Sequence, residues 1–192
     1  MVSPATGYSI SVAKLSAALS GMLQQWGNDT YPPIDLVVDG HYLSMAEMFQ
    51  VMTDVLAEFD RTGKLPQSVR VTNTHGPYTM QAGHGPNIGD ISVADIAKKC
   101  SELKSELHDE AGYPMQHNAV PPGLTVDGIV LTTTQFLRLM AQAIVAPDPN
   151  AKRRVRMAYM HPGTALMFPR TRTLYDTGAT WTFKPAPLNV KQ

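Results

Sequence analysis

The chain has 192 residues with 16 basic and 16 acidic side chains, so it lacks the broad positive field that nucleic-acid binding requires. No apolar run approaches the roughly 20 residues of a membrane span, and residues 1–8 carry neither the basic nor the apolar part of a signal peptide. Hydrophobic residues at 43% suffice for a buried core, and the single cysteine, Cys100, excludes an internal disulfide.

Taken in order, the first element is a helix. Ser11 precedes Val12, Leu15, Leu19, Met22, Leu23 and Trp26, one helical face by spacing, with Ser11 as its N-cap. Gly27 and the prolines that follow stop it. Ile34 to Val38 reads as a short strand running into Asp39-Gly40, a strong hairpin signal, with Tyr42-Leu43 as the return strand. Ser44-Met45-Ala46-Glu47 then has capping-box form and opens an amphipathic helix that carries Met45, Met48, Phe49, Met52, Val55 and Leu56 inward. Arg61 to Pro66 ends that helix, Val69 to Asn73 alternates as a strand, and His75-Gly76-Pro77 makes a turn.

The same order of parts returns. Val126 to Ala141 aligns without a gap on Val38 to Thr53, 88 residues earlier, and Ile91 to Ile96 repeats Ile10 to Leu15 at an offset of 81. Val155-Arg156-Met157 with His161 is matched to Val69-Arg70-Val71 with His75 at an offset of 86. About seven extra residues in the second copy fall near Met115 to Pro122, as a loop insertion. Ser92 and Asp95 open its first helix, whose stripe is Val93, Ile96, Cys100, Leu103 and Leu107. Thr132 and Gln135 open its second, which carries Phe136, Leu137, Met140 and Ile144 inward. Lys152-Arg153-Arg154 reads as a solvated loop, and Arg154 to Met160 as the strand after it.

The expected architecture is α+β: two tandem repeats, each helix, β-hairpin, helix, strand, strand, plus a strand-like C-terminal tail. The boundaries fall at 1–81 for the first repeat, 82–90 for a linker, 91–173 for the second repeat and 174–192 for the tail. Repeats of about 80 residues are near the lower size for an independent core, so the two are expected to share an interface, related by a two-fold or by a translation.

These copies resemble the pseudomurein-binding repeat of archaeal cell-surface proteins and pseudomurein endopeptidases. The resemblance lies in Ile91-Ser92-Val93, Gly112-Tyr113-Pro114, Val126-Asp127-Gly128, Leu131-Thr132 and Gln135 to Ala141. Its counterparts in the first copy are Ile10-Ser11-Val12, Val38-Asp39-Gly40, Leu43-Ser44 and Met48-Phe49, and Gly63 to Val69 is similar to the family's Gly-x-Leu-Pro-x-x-Val segment. It implies a non-catalytic module outside the cell or in its envelope, with its leader absent from this chain, that binds pseudomurein-like or other wall polymer. The alternative is a structural subunit of a filament, sheath or surface layer that assembles through its termini or onto another envelope protein.

The chemistry agrees with a non-enzyme. His75 and His161 occupy equivalent places, yet no His-x-x-x-His or Cys-x-x-Cys pattern announces a metal, and no glycine-rich phosphate motif announces a nucleotide, so no metal or cofactor is expected. Cys100 on a helix stripe reads as a buried, inert thiol. A sugar polymer needs exposed aromatics to stack on, and Tyr78 and Tyr159 beside the two histidines are the candidates, with packing against the core as the alternative. In the tail, Leu174, Tyr175, Trp181 and Phe183 are the candidates for self-association through strand pairing, and a homo-oligomer is expected.

Overall fold

Each helix begins where the sequence supplies a side chain to hold its first free N–H groups. In the computed structural model, which describes residues 8–27, 35–72, 74, 89–107, 120, 121 and 123–156, two full capping boxes are present. Ser44 Oγ accepts from Glu47 N at 3.2 Å while Glu47 Oε2 accepts from Ser44 N at 3.0 Å. Thr132 and Gln135 repeat the arrangement at 3.1 and 2.9 Å. Ser92 Oγ accepts from Asp95 N at 3.0 Å, and Ser11 Oγ accepts more weakly from Lys14 N at 3.5 Å.

These caps open α1 (Val12–Trp26), α2 (Met45–Thr62), α3 (Val93–Leu107) and α4 (Thr133–Val145). Short strands flank them: β1 (Ser9–Ser11), β2 (Asp35–Val38), β3 (His41–Ser44), β4 (Ser68–Arg70), β5 (Asp90–Ser92), β6 (Gly123–Val126), β7 (Ile129–Thr132) and β8 (Lys152–Arg154). The protein is α+β. Both hairpins turn on Asp-Gly as expected, with φ of 55° at Asp39, 77° at Gly40, 47° at Asp127 and 73° at Gly128. Positive φ at both central residues is what a two-residue turn needs to match the strand twist.

The strands differ from the sequence expectation in three ways. Residues 9–11 and 90–92, expected as helix leads and a linker end, are strands, so each half runs strand, helix, hairpin, helix, strand. Three residues are too few for alternation to declare a strand; the partner decides it, β1 pairing antiparallel with β4 and β5 with β8. Asp90 therefore belongs to β5 and not to the linker. Lys152-Arg153-Arg154, expected as a solvated loop, is β8, two residues ahead of the predicted strand.

The closing pairs also revise the alignment of the last strands. Val71 N donates to Tyr8 O at 2.7 Å, and Val155 N donates to Gly89 O at 2.9 Å. Val71 and Val155 are thus equivalent, an offset of 84 rather than 86. Both are buried, at 2% exposure, which the apolar match of Val69 to Val155 had disguised.

One core serves both halves. Among the helices, α2 packs on α3, α1 on α4, and α2 on α4. The α1–α4 and α2–α3 contacts both join one half to the other. Phe49 and Phe136 meet in the α2–α4 contact, both fully buried, with ring centroids 6.0 Å apart. Residues 45–53 of α2 and 133–141 of α4 are buried on every side. The expected apolar stripe is thus only part of a central helix, and its polar members need internal partners.

Candidate functional site

The first turn of α1 forms one wall of an open groove of about 640 Å³. The segment after α2, Leu65-Pro66-Gln67, forms a second wall, held to α1 by Val12 N donating to Gln67 O at 3.0 Å. Ile144, Val145 and Pro147 from the end of α4 complete it, so both halves contribute. Its lining is mostly aliphatic, with the Ser11 and Ser16 hydroxyls and the Gln67 amide as polar groups.

Beside Ser11 stands a charged pair. Asp39 accepts from Ser11 N at 3.3 Å through Oδ2 and pairs with Lys14 Nζ through Oδ1. The Lys14 hydrogen bond, then the Ser11 N–H, hold the Asp39 carboxyl below the usual carboxylate range. α1 has no acidic residue in its first turn, and Asp39 from the β2–β3 turn takes that place. On the same hairpin, His41 stacks on Tyr8 at 4.2 Å between centroids and 26° between planes. Burial, and then the Glu47 charge, push the Tyr8 hydroxyl up to about 12, so it stays protonated.

Two buried features are structural. Arg138 lies 5% exposed on α4, donates to Gly27 O and sits over the Trp26 ring at 4.9 Å, joining α4 to the end of α1. Burial, then Arg156, lower its affinity for a proton. Cys100 is fully buried between α3 and α2, and burial first, then Asp54 and Asp60, raise its thiol well above the ordinary value. A thiol held in that state is a poor nucleophile.

The eight residues that sequence reasoning nominated, His75, Tyr78, Tyr159, His161, Leu174, Tyr175, Trp181 and Phe183, lie outside the described residues. Sequence reasoning missed the groove because its walls come from three segments up to 136 residues apart. It passed over Tyr8 and His41 because their counterparts, Gly89 and Ile129, share no residue type with them.

Among the described residues, no three His, Cys, Asp or Glu side chains gather as a metal site, and no helix is long and apolar enough to cross a membrane. The fold and groove define an α+β protein with a surface cleft built by both halves. No family model, curated protein or solved structure matches the chain.

Proposed function

We propose that the chain is a non-catalytic cell-envelope module that binds a pseudomurein-like wall polymer. The observation that carries this reading is the groove: its second wall belongs to Gly63 to Val69, the segment with the family's Gly-x-Leu-Pro-x-x-Val pattern. A mixed aliphatic, hydroxyl and amide lining suits an uncharged polymer, whose apolar faces pack while its hydroxyl and amide groups take directed hydrogen bonds. The duplicated order of elements and the resemblance of both halves to the same repeat support it as well.

Co-sedimentation of the purified chain with isolated pseudomurein sacculi, and with bacterial murein sacculi as comparison, tests it. Pelleting with pseudomurein, weakened by Gln67→Ala with a melting temperature within a few degrees of the parent, is the expected result. A chain that stays in the supernatant with pseudomurein contradicts the reading.

A self-assembling subunit is the second reading, and one observation favours it. Val37 at 49% exposure and Val130 at 42% lie on the outer faces of the two hairpins. Light scattering on the full chain and on the paired variant Val37→Lys with Val130→Lys separates the readings: an oligomer that the paired variant converts to a monomer supports assembly through the hairpin faces. A full chain monomeric at high concentration ends it.

A further inference from the structure

We infer that the Tyr8–His41 stack, flanked by Asp39 and Lys14, is a platform for one sugar ring, so that the chain recognises the glycan part of the wall polymer. This rests on the wall-binding reading and narrows its ligand class. His41 is exposed on β3 with one ring face laid against Tyr8, which fixes the orientation of the imidazole. A pyranose presents a face of C–H groups that packs on an aromatic face, and its rim of hydroxyls needs acceptors and donors beside that face. Asp39, two residues before His41 in the same hairpin, supplies a carboxylate that Lys14 and Ser11 already hold ionised and oriented. The carboxylate keeps lone pairs beyond those two bonds, and the Lys14 ammonium keeps donors beyond one.

The other half shows that the frame does not need this pair. At the equivalent place Ile129 lies over Gly89, and a Cβ added to Gly89 would meet Ile129 Cδ1 at 2.5 Å, so one aliphatic side chain fills the space. Both hairpins form with the same register, with Val38 opposite His41 and Val126 opposite Ile129. An exposed imidazole and a phenol stand where glycine and isoleucine suffice for folding. Tyr8 packs against the core, and the exposed His41 ring laid on it offers an aromatic surface that packing does not call for.

Nuclear magnetic resonance on the full chain reads the platform directly. Glycan strands freed of peptide, released from pseudomurein sacculi, are titrated in one arm and the peptides from the same sacculi in the other. Movement of the His41 and Tyr8 ring signals with the strands, and not with the peptides, is expected. The paired variant Tyr8→Gly with His41→Ile copies the other half; it should keep its melting temperature within a few degrees and bind strands at least tenfold more weakly. Unmoved ring signals in the strand arm, movement with peptides alone, or full binding by the paired variant overturns the platform. Sacculi that pellet the parent chain while its ring signals ignore the strands leave the module reading standing and remove only the sugar site. Ring signals that move with strands when sacculi fail to pellet the chain keep the sugar site and remove the wall reading.

Discussion

The two halves carry out the same structural tasks with different side chains, and the difference starts at one atom type. In the first half the capping residue is Glu47, which can only accept, so the backbone after β4 is held by a second side chain. That side chain is Gln50, the sixth residue of α2, which donates to Arg70 O at 3.1 Å and accepts from Thr72 N at 3.0 Å. In the second half the capping residue is Gln135, whose amide oxygen accepts from Thr132 N while its nitrogen donates to Arg156 O at 3.0 Å. One amide caps the helix and ties down the strand end. The sixth residue of α4 is released from that duty, and there Arg138 reaches across to Gly27 and Trp26. A carboxylate exchanged for an amide in one copy thus leaves Arg138 for a link between the halves, while Gln50, among the described residues, serves the strand end of its own half.

The largest expected effect removes what the halves share. Phe49→Ala and Phe136→Ala should each cost about 3 to 5 kcal/mol in chemical denaturation, and because the rings touch, the double variant should depart from the sum of the two. A loss below about 1 kcal/mol at both would contradict the central placement of α2 and α4. Next come the divergent positions. Arg138→Ala should cost about 3 kcal/mol, since it removes a buried guanidinium that donates to the Gly27 carbonyl and covers the Trp26 ring. Gln50→Leu should cost about 2 kcal/mol, and its effect should be local, with hydrogen exchange faster at Val71 and Thr72 and little changed in α4. Equal and global effects at both sites would erase the contrast between them.

Smaller still are the caps. Ser44→Ala and Thr132→Ala should each cost about 1 kcal/mol, and Gln135→Glu should keep the cap while losing the strand tie. The smallest effect is that of Asp39→Asn, whose side chain also tolerates the positive φ of the turn. A carboxyl held below its unfolded value contributes stability above about pH 4, lost as pH falls through the folded value. The difference in melting temperature between parent and Asp39→Asn should therefore be present at pH 7 and shrink below pH 4. A difference that grows on acidification would reverse the assigned sign.

Much of this frame was legible in local patterns. Asp39-Gly40 and Asp127-Gly128 named their turns, and Ser44 with Glu47 and Thr132 with Gln135 named their caps, because those signals act within four residues. Partners distant in sequence carried the rest. β1 and β5 exist only because β4 and β8 close on them some 60 residues later, and no three-residue stretch can announce such a pairing. The offset of the last strands was misread for a related reason: Val69 and Val155 match in type, while hydrogen bonds to Tyr8 and Gly89 make Val71 the true counterpart. The groove was illegible because adjacency in space, and no residue type, defines it.

Packing of α1 on α4 and of α2 on α3 is the claim on which the rest depends, since it makes the groove and the shared core properties of the whole chain. Native-state hydrogen exchange at rising denaturant tests it most directly, by comparing the most protected amides of all four helices. They should converge on one opening free energy and fall together in Arg138→Ala. One half exchanging fully while the other keeps its protection would contradict it.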